Sequence, residues 1–275
     1  MPEIHGHRGA RALRPENTLP GLEYALALGV DALEFDVTLT ADGGLILAHD
    51  LIVEARTILD TGPATDADPL FPYVGKRWSE LTLKQVATLD AGGRRPPEPF
   101  QDTFQAIPGT AVPTLGQVCA RLAGAREVTL AVELKTDPSW PDAAVRRLTQ
   151  TALATLARHR LAGRARILGF DWRVLRAAAA AEPAVPRVAL LEQGSWNDPV
   201  RAAAEARDIG AAWLSPSVPV ASPGLIAAAR EMGLKTAVWT VNDPAQMTEF
   251  ADRGVDAIVT DRPDLLRQVL DDRSG

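Results

Sequence analysis

The sequence predicts a closed parallel (β/α)8 barrel, and three observations carry that expectation. Eight short apolar, strand-like runs alternate with helix-like segments over most of the 275 residues. Proline stands at Pro199, Pro223, Pro244 and Pro263, in the first turn of four successive helix-like segments, where a missing N–H is tolerated. No strand-like run leads into the Gly-x-Gly-x-x-Gly turn of a dinucleotide-binding sheet, so the doubly wound alternative lacks its signature.

In chain order, Ile4–Arg8 is a short strand running into Gly9. A helix over Asn17–Leu28 follows, with Thr18 placed as its N-cap and Gly29 as its stop. Ala32–Val37 is the second strand, turned through Ala41-Asp42-Gly43-Gly44 into a return run, Leu45 to Ala48. Leu51 to about Val112 breaks the rhythm; it is rich in Pro, Gly and Asp and carries one amphipathic helical piece near Ser79–Leu89. Pro113-Thr114-Leu115 reads as a helix start, after which the alternation resumes. The remaining strands are Val128–Glu133, Arg166–Phe170, Arg187–Leu191, Ala211–Leu214, Lys235–Val241 and Ala257–Thr260. Between and after them lie helices over Ala144–Leu161, Trp172–Ala181, Pro199–Asp208, Pro223–Met232, Pro244–Asp252 and Pro263–Leu270.

Chemistry in such a barrel gathers where strands end. Glu34 and Asp36, two apart on one strand, project to one side, with Phe35 and Val37 facing the opposite layer. The return run ends on His49-Asp50, the first strand on His7-Arg8, and the third on Glu133-Leu134-Lys135. Taken alone, Glu34 and Asp36 could sit on an exposed face while His49 caps a turn, since exposed acids are common. The ionisable groups nevertheless collect on strands one to three, which are neighbours in a barrel. Glu34, Asp36 and Glu133 offer oxygen ligands suited to Mg²⁺ or Ca²⁺, and no cysteine stands near to favour zinc. Arg8 and Lys135 suit a phosphate, and His7 and His49 a general base and a general acid. A cation, two basic side chains and two imidazoles around one anionic group describe a phosphodiesterase.

Other polar residues receive structural readings. His5 is expected to point away from His7 into the outer layer, and His159, among Arg158 and Arg160, to face solvent. Trp239 is either core packing or a wall for the substrate's alcohol. Asn242 and Asp261 read as caps of the helices that follow them. Arg94-Arg95 reads as an exposed pair.

Composition bounds the rest. The net charge of −6 gives no case for general nucleic-acid binding. A single cysteine, Cys119, excludes an intrachain disulfide. No run approaches the roughly 20 apolar residues that span a bilayer, so no stable membrane anchor is expected. The opening residues lack the pattern of a secretory signal, and the simplest reading is a cytoplasmic protein.

Seven motifs in order make the sequence resemble the glycerophosphodiester phosphodiesterase family. They are Gly6-His7-Arg8-Gly9, Pro15-Glu16-Asn17-Thr18, Glu34-Phe35-Asp36-Val37, His49-Asp50, Glu133-Leu134-Lys135, Trp239-Thr240-Val241-Asn242 and Thr260-Asp261-Arg262-Pro263. The resemblance implies a TIM-type barrel with a small insertion after the second strand, matching the irregular stretch. It implies a divalent cation on Glu34, Asp36 and Glu133, an acid–base pair in His7 and His49, phosphate contacts from Arg8 and Lys135, and Glu16 near the metal. The expected reaction is hydrolysis of a glycerophosphodiester, a small molecule, to glycerol 3-phosphate and an alcohol. Where the family often has Ser-Phe at the end of the fourth strand, this chain has Gly169-Phe170, which removes any serine-mediated contact there. The rival within enzymes is a phospholipase D-like action on lysophospholipids, for which Leu70–Tyr73 and Phe100–Phe104 would supply an apolar lid. A silent phosphate-sensing module is the rival outside them, and the intact set of histidines and acids argues against it.

Overall fold

A computed structural model describes residues 1–94, 100–194, 196 and 198–273; Arg95 of the expected surface pair lies outside the described residues. The strands are β1 (Glu3–Gly6), β2 (Ala32–Leu39), β3 (Leu45–Leu47), β4 (Leu59–Asp60), β5 (Leu89–Asp90), β6 (Thr129–Leu134), β7 (Ala165–Gly169), β8 (Arg187–Leu191), β9 (Trp213–Pro216), β10 (Lys235–Val238) and β11 (Ala257–Thr260). The α-helices are α1 (Leu19–Ala27), α2 (Leu83–Val86), α3 (Leu115–Leu122), α4 (Asp142–Arg158), α5 (Trp172–Ala181), α6 (Pro199–Asp208), α7 (Pro223–Glu231), α8 (Pro244–Asp252) and α9 (Pro263–Asp272). Around the barrel the order is β1-β2-β6-β7-β8-β9-β10-β11, all parallel, and β11 pairs with β1 to close it. β3 adds an antiparallel hairpin to β2.

Strand alternation builds two cores. Ile4, Leu33, Phe35, Val37, Leu130 and Val132 point outward into the main core beneath the helices. Ala131, Leu168, Val188, Leu190, Trp213, Ala257 and Val259 point inward and fill the lumen. His5 follows this rule and overturns the expectation set for it. Residues two apart on a strand share a face, so His5 points inward with His7, and Ile4 takes the outer layer. At the bottom of the lumen His5 Nε2 and Arg166 Nη1 each lie 2.8 Å from Glu3 Oε2, and the Arg166 guanidinium stacks 4.3 Å from the Trp213 ring centre. Burial would raise the Glu3 carboxyl, but His5 and Arg166 hold it down at about 2.

Helix starts follow the sequence signals. Thr18 caps α1: its Oγ1 accepts from Gly21 N at 3.2 Å and donates to Pro15 O at 2.7 Å. Thr114 and Gln117 form a reciprocal capping box at α3. Pro199, Pro223, Pro244 and Pro263 each open a helix.

The irregular stretch is a small subdomain with its own core of Val53, Ile58, Tyr73, Trp78, Leu81, Val86 and Leu89, packed on Ile46 and Ala48 of the hairpin. Its helical piece is shorter than expected. A turn over Trp78–Glu80 precedes α2, because the Thr82–Gln85 capping box starts the helix only at Leu83. β4 and β5 pair antiparallel within it. No helix among the described residues is long and apolar enough to cross a membrane.

The Thr18 hydroxyl is fully buried, so its loss leaves both Gly21 N–H and Pro15 C=O without that partner. Thr18→Ala should lower stability by about 1–2 kcal/mol, read as a shift of the urea midpoint at unchanged slope. A shift below about 0.3 kcal/mol would show that α1 does not need the cap.

Candidate active site

Register creates the centre of the site. On adjacent parallel strands Asp36 pairs with Glu133, and Glu34 stands one pleat below Asp36. One carboxylate oxygen from each of the three residues lies within 4.8 Å of the others. All three are buried; Glu34 Oε1 accepts no hydrogen bond, while Asp36 Oδ1 and Glu133 Oε1 face the Lys135 ammonium. Such a cluster resists ionisation. Burial, then the neighbouring Asp36 and Glu133 charges, push Glu34 well above the usual carboxylate range. Burial also raises Glu133. Asp36 goes the other way: burial opposes its charge, but Lys135 and Arg8 outweigh that and keep it ionised.

The loop after β1 brings basic and proton-transfer groups to these acids. A Cβ at Gly6 would stand 2.3 Å from Gly9 O, so the chain can fold this tightly only with glycine there. Gly9, at φ 89°, would bring a Cβ to 2.8 Å from the backbone of Gly21. The turn aims Arg8 N at Glu34 Oε2, 2.8 Å away. The buried Arg8 guanidinium donates through Nη1 to Glu16 Oε1 at 2.8 Å, and its Nε lies 3.4 Å from Asp36 Oδ2. Lys135 Nζ lies 3.1 Å from Asp36 Oδ1 and also meets Glu133. Burial disfavours both cations, yet these acids raise their pKa values above the ordinary.

Both imidazoles are backed by aspartate. His7 Nδ1 lies 2.6 Å from Asp261 Oδ1. An ionised carboxylate only accepts, so Nδ1 carries the proton and Nε2 faces the acids, 3.9 Å from Glu34 Oε2. Burial lowers the His7 pKa by more than Asp261 raises it, which favours the neutral ring. Asn242 holds Asp261 in turn: Nδ2 donates to Asp261 Oδ2 at 2.8 Å, and Oδ1 accepts from Asp261 N at 2.9 Å. His49 Nδ1 lies 3.0 Å from Asp50 Oδ1, and Asp50 is also paired with Arg56 of the insertion. The His49 hydrogen bond and Arg56 hold Asp50 near 2. His7, His49, Arg8, Lys135, Glu34, Glu133 and Trp239 all line one cavity of about 350 Å³ at the C-terminal mouth.

The sequence-predicted residues thus come together, with two corrections. Asp261 does not cap α9, and Asn242 does not cap α8. Asp243 takes that second role, accepting from Gln246 N at 3.0 Å, and α9 begins after Arg262 without a side-chain cap. Trp239 is both packing and wall: its Nε1 donates to Ser215 O at 2.9 Å while its ring borders the cavity. Two residues escaped the sequence reading. Asn17, at φ 54°, grips Asp36 twice, through Nδ2 to Oδ2 at 2.8 Å and through Oδ1 from Asp36 N at 3.1 Å. Arg11 faces the cavity, with Nε 3.4 Å from Glu16 Oε2. Asn17 lay within a noted motif, whereas Arg11 sits in a loop where no periodicity marks it.

The three acids fit a divalent cation. A hard cation about 2.0–2.6 Å from each oxygen requires ligand oxygens no more than about 4–5 Å apart, which this cluster meets. The converging oxygens are all carboxylate, the donor set of Mg²⁺ or Ca²⁺, and Glu34 Oε1 has no hydrogen-bond partner.

Converging acids, two basic side chains and aspartate-backed imidazoles at the mouth of a (β/α)8 barrel are the equipment of a hydrolase acting on an anionic ester. Comparison with known proteins narrows that class. The profile of the Glycerophosphoryl diester phosphodiesterase family matches residues 7–265. A glycerophosphodiester phosphodiesterase of Bacillus subtilis (strain 168) is 28% identical over 273 residues, 96% of this chain and 84% of that one. A crystal structure from Silicibacter pomeroyi DSS-3, provisionally assigned as a glycerophosphoryl diester phosphodiesterase, superposes with a TM-score of 0.88 at 30% identity, covering 100% of this chain and 94% of that one. Glycerophosphodiester phosphodiesterase from Agrobacterium tumefaciens str. C58 gives a TM-score of 0.72 at 26% identity, over 97% of this chain and 99% of that one. The chain belongs to the glycerophosphodiester phosphodiesterase family, and it is a phosphoric diester hydrolase.

The raised Glu34 pKa makes a prediction for the protein stripped of divalent cations. The folded state holds a proton on Glu34 at pH values where the unfolded chain, near 4.5, has lost it. At this group the folded state then binds more protons, so the contribution of Glu34 to stability falls as pH rises from about 4.5 toward the folded value. In EDTA, the Glu34 contribution to stability should shrink as pH rises above about 4.5, by at most about 1.4 kcal/mol per pH unit for one proton, while the lowered pKa values of His5 and His7 act in the opposite sense below about 6.5, so the effect is read as the difference between wild type and variant. Glu34→Gln should flatten that slope in denaturant titrations; an identical slope in both proteins would place the repulsion elsewhere.

Proposed function

We propose that this protein hydrolyses glycerophosphodiesters to glycerol 3-phosphate and an alcohol, through His7 and His49 as a proton-transfer pair and with a divalent cation held by Glu34, Asp36 and Glu133. One observation carries the reading: three converging carboxylates, of which Glu34 and Glu133 line the cavity, stand with two aspartate-backed imidazoles, Arg8 and Lys135 at a single cavity. When bound, the cation supplies positive charge beside the phosphoryl group and offsets the repulsion among the three acids. Lys135 and the Arg8 guanidinium hold the phosphate oxygens, though Arg8 must share itself with Glu16. One imidazole accepts the proton of the attacking hydroxyl through Nε2. The other donates a proton to the leaving alkoxide, so the proton count balances across the step. With the glycerol 2-hydroxyl as nucleophile, the first product is a cyclic phosphate that water opens in a second passage through the same pair.

The lysophospholipid reading is less well supported, because the stretch Leu70–Tyr73 is partly drawn into the insertion's own core. Tyr73 is fully buried and Leu70 packs on the insertion's core, while Phe71, which meets Tyr73 edge-on at 5.3 Å, stays exposed and Phe100 and Phe104 are half-buried. The deciding experiment is a panel of glycerophosphodiesters and lysolipids assayed with Mg²⁺, Ca²⁺ and EDTA.

Removal of divalent cations should abolish turnover, and Mg²⁺ or Ca²⁺ should restore it and raise the melting temperature of the wild type. With a cation at 100 times its dissociation constant the stabilisation is about 2.7 kcal/mol. Asp36→Ala should lose both effects. Full activity after verified metal removal would end the metal assignment.

His7→Ala and His49→Ala should each slow turnover by about 10²–10⁴-fold. The double variant should cost much less than the product of the two, because groups acting as a unit are not additive. A nitrophenyl ester, whose leaving group needs no acid, should rescue one single variant and not the other, assigning acid and base. Near-normal rates in both single variants on natural substrates would refute the pair.

A further inference from the structure

The Arg8 guanidinium faces more anions than one positive charge can balance. It donates through Nη1 to Glu16 Oε1 at 2.8 Å, and its Nε lies 3.4 Å from Asp36 Oδ2. Under the proposed function a phosphate joins them. Glu16 is ionised: burial raises its pKa, but Arg8 first and Arg11 second hold it below the ordinary value. Each anion added to one buried guanidinium weakens its hold on the others, unless a second cation shares them.

A second cation stands where it can do so. Glu16 turns its two oxygens to two arginines, Oε1 to Arg8 and Oε2 to Arg11, whose Nε is 3.4 Å away. The same Nε lies 3.7 Å from Asp261 Oδ1. Arg11 is half-buried and lines the cavity together with Arg8 and His7. Its backbone is pinned. Ala10 and Ala12 on either side are fully buried, Ala12 N donates to Asp261 O at 3.3 Å, and Ala12 O accepts from Thr103 Oγ1 of the insertion at 3.0 Å. The loop therefore carries Arg11 to the acids, while no hydrogen bond among the described residues fixes its guanidinium, which is free to close onto Glu16. We propose that Arg11 is a positioning residue for the phosphate: it supplies the counter-charge for Glu16 and so leaves the Arg8 guanidinium to the substrate. Arg11 acts through Glu16 and Arg8 and touches no reacting atom. Asp261 offers it a competing route, through His7, and the two routes differ in what they change. Counter-charge on Glu16 alters phosphate binding and is read in KM, whereas a shift of Asp261 alters the His7 imidazole and is read in kcat.

This inference rests on the reading of Arg8 as a phosphate contact in a glycerophosphodiesterase, so binding and turnover are measured separately. Calorimetry with inorganic phosphate gives affinities, and glycerophosphocholine gives kcat and KM, for the wild type, Arg11→Ala, Arg11→Lys, Glu16→Gln and the double variant Arg11→Ala/Glu16→Gln. Arg11→Ala should weaken phosphate binding and raise KM by about tenfold, with kcat changed by less than about twofold, as loss of uniform binding does. Arg11→Lys should recover most of that loss, because a charge beside Glu16 is needed and the forked geometry is not. With Glu16→Gln there is no carboxylate to balance, so adding Arg11→Ala should cost less than about twofold more, a coupling that the double-mutant cycle reads directly. Unchanged phosphate affinity and KM in Arg11→Ala overturns the proposal. So does a loss that is undiminished in the Glu16→Gln background, which would show Arg11 meeting the phosphate itself, or a loss confined to kcat, which would place its action at Asp261. Turnover of no diester by the wild type would count against the activity, while the phosphate affinities would still judge Arg11.

Discussion

The register between β2 and β6 is the constraint from which the site follows. It sets Asp36 level with Glu133 and, with Glu34 one pleat away, forces three acids into one buried space. Buried like charges are costly, and a fold keeps them only with compensation. Here the compensation is graded. Lys135 and Arg8 serve Asp36 best, which stays ionised, while Glu34, facing two other acids, holds its proton more firmly than an ordinary carboxyl. Asn17 adds a neutral clamp on Asp36 that fixes its orientation without changing the charge count. The basic residues proposed to meet the phosphate are therefore also the residues that make the acid cluster tolerable. That double duty explains why cations stand so deep in the site with acids already on them.

The insertion is more closely tied to the chemistry than its irregular sequence suggested. It contributes no histidine and none of the acids proposed to hold the cation, yet Arg56 pairs with the aspartate that backs His49, and Trp78 Nε1 donates to Asp50 O at 2.8 Å. His49 itself ends a hairpin of only three paired residues, Leu45–Leu47, whose Ile46 and Ala48 belong to the insertion's core. A short hairpin cannot hold a side chain by its ladder alone. The subdomain therefore serves as the support for one of the two imidazoles, whatever it also does for substrate choice.

Much of this was legible in sequence because it is periodic. Alternation placed Glu34 and Asp36 together and Phe35 in the outer core, and the proline-led helices counted out the barrel. The same rule, correctly applied, also brings His5 inward, since position 5 shares the parity of position 7. What periodicity could not reach were contacts made across loops and across the closure. Asn242 and Asp261 carry the chemistry of helix caps and stand next to helix starts, so local reasoning gives them that work. Only the three-dimensional structure shows the adjacent Asp243 taking it at α8. Arg11 lies on neither a strand nor a helix, and nothing in its spacing points toward the cavity.

Barrel closure is itself part of the proposed mechanism. His7 comes from the first strand's end and Asp261 from the last strand's end, 254 residues apart, and they meet because β11 pairs with β1 in the register Gly6↔Thr260. The pairing continues past the strands, with His7 N bonded to Thr260 O at 2.9 Å. A one-residue slip in that register would turn Asp261 to the opposite face and leave His7 without its partner. The proton on Nδ1, and hence a free Nε2 toward the acids, exists only in a chain whose two ends have joined correctly. Nothing local to either motif could secure that. The first and last strands of the barrel are bound into one functional unit, so the orientation of His7 depends on closure of the barrel.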